Sequence, residues 1–440
     1  MSNLGRARVQ TIPEAQGAEG SPAQRIYAIE QPGPPPAVDG AWSIPTLARA
    51  PHRLLFFVGA SCVLLAMLWW TLWLFDAARQ PALLAQPAMP AGWLHAMLMQ
   101  YFVFPPFVFG FLLTVFPRWL DQPAIARNLY VPVGVGLFGG QLLTVGGAFG
   151  GAGLLVAGAV FAIAGWTVGL ALLLRVLWRA RGNIGHPALC AVALSLGLVG
   201  LGMYLAYLVT GDARCLFVAI KIGTFGLLLP LYVTVTHRML PFFARSALPG
   251  HTGWTRHAWL VVVWVLFLAH LFLESIHGYV WLWPVDGALV ALTALWWWRN
   301  RPKRASPPLL RILFIAYTWL PLAMMLYATQ SAWYAAFGQF VLGRAPAHAM
   351  FIGFFGGLLV AMVTRVTQGH SGLPLVLGRV AAFAFIAVQG VAVLRVLAEI
   401  LPGPPILQAL AAAAWLVAFV PWVVRSIRVY GAPRADGKAG

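Results

Sequence analysis

The chain has 440 residues, of which 61% are hydrophobic and only 9% charged, with a net charge of +18. This composition excludes a soluble globular domain and points to apolar runs that a bilayer must bury. The Lys and Arg excess is scattered in small clusters between those runs, which excludes a nucleic-acid-binding stripe and fits the charge bias of membrane connections.

The first fifty residues are polar and rich in Ala, Pro and Gly, with no apolar signal-peptide core. They are expected to form a disordered cytoplasmic tail over 1–50, stiffened by the "GPPP" at Gly33 to Pro36. Twelve apolar runs follow, at about 54–75, 93–116, 130–148, 153–174, 187–209, 214–236, 258–273, 279–298, 310–328, 346–364, 378–398 and 405–424. Each approaches the ~20 residues a spanning helix needs, and none shows the alternation of a membrane β-barrel strand. The prediction is an all-α polytopic bundle of about twelve transmembrane helices over 51–428, with a short cytoplasmic C-terminal tail over 429–440.

Orientation follows from charge. Of the 29 Lys and Arg, all but Arg79, Arg214, Arg344, Lys221 and Arg395 belong to the two tails and the even-numbered connections. Connections retained on the cytoplasmic side carry the positive excess, so both termini are expected in the cytoplasm. Arg79, Arg214 and Arg344 then lie on outer connections, whereas Lys221 and Arg395 lie inside spans. Trp69, Trp70 and Trp73, and Trp296 to Trp298, read as interfacial aromatic belts. Cys62, Cys190 and Cys215 are isolated and read as small buried apolar residues.

An ionisable group in hydrocarbon is expensive unless paired or ligated, which makes each one a functional candidate. In chain order, His95 opens the second run, Lys221 lies early in the sixth, and the seventh ends in "HLFLESIHGY". There His270, Glu274 and His277 share one helical face if the helix continues through them. Asp286, His348 and Arg395 complete the set, all near the outer boundary of their helices. Imidazole ligates haem iron and copper, and thioether suits cuprous ion, so Met97, Met99, Met324, Met325 and Met350 on the same side also count. On the cytoplasmic side, His186, His251 and His257 read as solvated loop residues. His237 in "THRMLPFF" and His370 in "TQGHSG" close long spans in compact motifs.

Three segments carry a family likeness: "WLHAMLMQYFVFPPFVFGFLLTVFPRWL" from Trp93, "HRMLPFF" from His237, and "HAMFIGFFGGLLVAMVTRVTQGHSGLPL" from His348. Together they resemble the NnrS family, and the likeness in length and hydropathy covers nearly everything after residue 50. The resemblance implies a bacterial inner-membrane protein that holds haem b and copper and acts in nitric oxide metabolism or nitrosative-stress tolerance. By position it marks His95, Arg118, His237, Arg238, Pro241, His348, Arg365, Gly369 and His370. Where the family pattern has a second His, two residues after the first, this chain has Met97. A looser parallel is with haem-copper oxidases, which also place haem-binding His on the second and tenth of twelve helices.

The expectation that follows is a haem near the outer surface, ligated by His95 and His348, with Lys221 and Arg395 meeting its propionates. Copper would sit on His270 and His277, with Glu274 or Met97. Nitric oxide, arriving through membrane lipid, and an electron donor would be the partners, and no nucleic acid. Two other readings compete. One is a transporter or metal-handling permease, whose pathway would use Lys221, Asp286 and Arg395 and helices broken at "FVFPPFVFG". The other is a non-catalytic membrane sensor or assembly factor.

Overall fold

A computed structural model describes residues 42–437 except 80, 304, 402, 404 and 405. The greater part of the expected N-terminal tail, with Gly33 to Pro36, lies outside the described residues, as do the last three residues of the C-terminal tail. Among the described residues there are no strands, and twelve helices are long and apolar enough to cross a membrane. They are α1 (Pro51–Ala77), α2 (Ala91–Trp119), α3 (Arg127–Gly150), α4 (Ala152–Trp178), α5 (Gly185–Thr210) and α6 (Ala213–Ala247), then α7 (His257–Ser275), α8 (Tyr279–Asn300), α9 (Pro308–Phe337), α10 (Ala345–His370), α11 (Arg379–Ile400) and α12 (Ile406–Gly431).

Most helices overrun the apolar runs that announce them. The largest excess is in α6, where the helix continues through "HRMLPFF" to Ala247, so His237 sits within it rather than closing it. Backbone hydrogen bonding continues wherever the sequence does not interrupt it, regardless of where hydrocarbon ends.

The twelve helices are not equivalent. In α2, α6 and α10 the most apolar stretch is 94%, 72% and 72% buried, against 28–61% for the other nine. These three form the inner core, four helices apart along the chain. Each also contains a widened π-helical segment: Leu98–Val103 in α2, Ile222–Leu228 in α6 and Ala349–Gly356 in α10. In two cases the cause is legible. Pro105 and Pro106 follow the first segment, and Pro230 follows the second. A mid-helix proline lacks the N–H its preceding turn needs and its ring crowds that turn's carbonyl, so a wider turn relieves both. The helices are widened, not broken, at the sites where the transporter reading expected interruption.

The widened segments let side chains cross between helices. Gln100 Nε2 donates to Thr224 Oγ1 at 3.0 Å, and Tyr101 donates to the Ala219 carbonyl at 2.5 Å. Gly223 permits this approach, since a Cβ there would overlap the Gln100 amide. Gly353 does the same for α9, whose Trp319 ring occupies the space a side chain would need.

The first and last described segments meet at one end of the bundle. Residues 44–47 form a helical turn, Ser43 N donates to the Gly431 carbonyl at 3.0 Å, and Trp42 Nε1 donates to the Ile427 carbonyl at 3.1 Å. Buried Arg53 clamps the carbonyls of Tyr430 and Ala432 at 3.0 and 2.6 Å. This end is termed the terminal end below, and the opposite one the far end.

Candidate functional site

At the far end a cavity of about 430 Å³ lies among α1, α2, α6, α9, α10, α11 and α12. Its volume is within the ~300–1,000 Å³ of ordinary small-molecule and cofactor sites. Apolar and aromatic groups, including Trp70, Phe225, Phe351 and Trp415, form most of the wall. Into this wall project two imidazoles, His95 and His348, and three cations, Lys221, Arg344 and Arg395.

The starts of the inner helices position the imidazoles. His95 lies one turn into α2, just before its widened segment, and its ring stacks on Trp70 with centroids 4.4 Å apart and planes 9° apart. Its Nδ1 is buried and makes no hydrogen bond. His348 immediately precedes the widened segment of α10, and its Nδ1 lies 2.9 Å from the Arg344 carbonyl. A carbonyl only accepts, so in the neutral ring the proton is on Nδ1 and Nε2 keeps its lone pair. A backbone carbonyl fixing one ring nitrogen is the usual way a protein orients an imidazole ligand.

Two of the cations, Arg395 and Lys221, are held by carboxylates. Glu399 Oε2 accepts from Arg395 Nη1 at 2.6 Å, while its Oε1 accepts from the Arg344 backbone N–H at 3.1 Å. Lys221 Nζ donates to Glu274 Oε1 at 2.8 Å. Trp70, Arg344 and Glu399 were not among the candidates read from sequence. For Arg344 a signal existed: it is one of three basic residues on connections otherwise depleted of positive charge.

These residues fit a haem. The cavity combines apolar walls, two imidazoles free to present a ring nitrogen, one of them with a buried orphan Nδ1, and cations suited to propionates. Among the described residues no group of three or more His, Cys, Asp or Glu side chains is arranged to hold a metal ion. Haem iron asks the protein for only one or two ligands.

The comparison with family models decides the lineage: the one described as NnrS protein matches residues 46–434. The chain belongs to the NnrS family. A comparison with curated proteins gives no match.

The residues expected to hold copper in this NnrS chain are not arranged as the spacing suggested. Helix α7 ends at Ser275, and His277 lies beyond it with φ +57°, exposed, its Nδ1 2.8 Å from the Tyr279 hydroxyl. The turn therefore takes His277 off the face shared by His270 and Glu274. His270 is fully buried, and both ring nitrogens face carboxylates: Nδ1 lies 2.6 Å from Asp286 Oδ1 and Nε2 3.4 Å from Glu274 Oε2. Met97 is buried in the packed core and does not line the cavity; Met99 does.

The other NnrS motif residues lie at the terminal end, where imidazoles meet one another. His237 is buried in α6, stacks on Trp259, and its Nδ1 lies 2.9 Å from His186 Nε2. The His257 ring packs edge-on against His186 with centroids 5.0 Å apart. Thus His186 is a half-buried helix residue rather than a solvated loop residue, and His251 is half-buried too. The His370 ring packs against that of His52, tilted by 33° with centroids 4.3 Å apart, and Arg434 Nη1 donates to the His370 carbonyl at 2.9 Å. Arg238 lies over Trp119, and Arg365 lies over Phe243, at 4.4 and 4.2 Å. Arg118 and Gly369 are exposed, and the Pro241 ring packs against Gly253. The motif residues therefore divide between the two ends.

Proposed function

We propose that the chain is a haem protein of the bacterial inner membrane, with both termini cytoplasmic, that binds or redox-converts nitric oxide. The observation carrying this reading is the far-end cavity, where both motif imidazoles and three cations face one largely apolar space. His95 and His348 would hold a haem b, and Lys221, Arg344 and Arg395 would neutralise its carboxylates. Once bound, such a group supplies an iron that exchanges one electron and takes a diatomic ligand.

The protein's own contribution is orientation and exclusion. The Arg344 carbonyl fixes the His348 ring, Trp70 fixes the His95 plane, and the aromatic wall keeps water from the reacting space. Glu399 holds the Arg395 guanidinium and the Arg344 backbone N–H. Nitric oxide is apolar and concentrates in lipid, so a cavity within the bundle suits its entry. The nitric oxide assignment rests on the family, and the cytoplasmic placement of the termini rests on the distribution of Lys and Arg. Copper is not placed at His270 and His277 in this reading.

The test is a reduced-minus-oxidised spectrum of the purified protein with haem analysis. Protohaem bands that weaken or shift in His95→Ala and His348→Ala are expected. Bands unchanged in both variants would refute the ligand pair.

A further inference from the structure

Beside the cavity runs a buried chain of ionisable groups of which the proposed haem site uses only the first, Lys221. It begins at the cavity wall with Lys221 on α6, whose Nζ donates to Glu274 Oε1 on α7 at 2.8 Å. Glu274 Oε2 faces His270 Nε2 at 3.4 Å, and His270 Nδ1 meets Asp286 Oδ1 on α8 at 2.6 Å. Ser331 on α9 donates to the other Asp286 oxygen at 2.8 Å. Four adjoining helices thus contribute to one line of polar atoms, in a region where each unpaired charge would cost several kcal/mol. Stability alone does not call for it, since well-packed apolar residues usually serve as well as a buried ion network.

The composition is informative. With His270 as imidazolium, two cations balance two carboxylates and the chain is neutral as a unit. The His270 ring lies flat on Phe225 at 3.7 Å, and Phe225 itself lines the cavity, so only Lys221 carries the chain's polarity into the space. Tyr327, edge-on to His270 at 5.5 Å, also lines the cavity, and Tyr279 lies within electrostatic reach of Glu274.

We propose that this chain is a proton-transfer branch serving the far-end cavity. Lys221 Nζ releases a proton to a basic oxygen or nitrogen atom of whatever occupies the cavity, forming a new bond to hydrogen there and leaving a neutral amine. Glu274 takes the His270 proton at Oε2 and, once its carboxyl group has turned, passes that same proton from this oxygen to the neutral amine, becoming a carboxylate again. The ring ends neutral, keeping its Nδ1 proton on Asp286, and the branch as a whole has lost one proton. A proton from bulk solvent restores it. The longest link, His270 to Glu274, needs only a small rotation of the carboxylate to become a hydrogen bond.

The inference rests on the cavity being the working site, and its test separates it from the haem reading. In weakly buffered solution with a pH indicator, reduction of the haem-loaded wild type should take up about one proton per haem through this linkage. Glu274→Gln and Asp286→Asn should each at least halve that uptake while the optical bands set by His95 and His348 stay in place. Glu274→Asp should recover part of it. Uptake unchanged in both Gln and Asn variants, with bands retained, overturns the proposal. If the purified protein carries no chromophore, the haem reading has failed, and infrared pH-difference spectra decide the branch alone. An imidazole and carboxylate signal lost in Asp286→Asn supports it, and a spectrum identical to wild type overturns it. Should Asp286→Asn not fold, Glu274→Gln is read in the same way.

Discussion

The two ends of this bundle use the same side chains to opposite effect. At the terminal end, His186, His237 and His257 adjoin one another, and His52 packs against His370, so imidazole is spent on imidazole. At the far end, His95 and His348 face a cavity of about 430 Å³ and neither is bonded to another side chain in the manner of the His186–His237 pair. What separates a candidate site from a polar cluster here is neither residue type nor motif membership. It is whether a lone pair faces unfilled volume.

The comparison breaks most decisively on haem content. His95→Ala or His348→Ala should lower bound haem by ~10-fold or more, the scale on which metal sites respond to losing a supporting group. His52→Ala and His370→Ala should leave it unchanged, by pyridine-haemochrome assay. Haem lost equally from both pairs would mean the ends are not distinct.

The next effect is on stability. Asp286→Ala leaves buried His270 without its nearest carboxylate, and loss of one partner of a buried pair costs ~3–5 kcal/mol. Unfolding in detergent, followed by differential scanning fluorimetry, should show this as a clear drop in midpoint, larger than for Arg434→Ala, whose Asp436 partner is at the surface. Gly223→Ala should come next, at ~1–3 kcal/mol, because the new methyl group overlaps Gln100 where α2 meets α6. The smallest change is expected for His186→Ala, ~1 kcal/mol for one lost hydrogen bond to His237, with haem content unaffected.

Much of this was legible in the sequence. The twelve helices followed from run length, because the bilayer imposes one requirement on every span. His95, His348, Lys221 and Arg395 stood out because ionisable groups inside apolar runs are costly, and all four line one cavity. The failure at His277 has a local cause: "SIHGY" ends the helix, so i+7 spacing stops predicting a shared face once the backbone takes φ +57°. The pairing of His270 with Asp286 was hidden because it depends on how α7 packs against α8, which spacing along one helix does not reveal. Trp70 reads as an interfacial belt residue until its stacking on His95 is seen. The widened segments left a trace in Pro105, Pro106 and Pro230, mid-run prolines inside helices that do not stop.

Those widened turns carry a consequence for how the molecule can change. A π-type turn holds an additional residue relative to ordinary α winding, and one residue of α-helix corresponds to ~100° of rotation about the axis. Deleting a single residue from Leu98–Val103 would therefore leave α2 continuous while swinging His95 a quarter-turn or more relative to Arg118 at the opposite end. Helices α2 and α10 thus each have a phase adjuster between the motif residues at their two ends, so the groups at one membrane face can be re-aimed without disturbing those at the other.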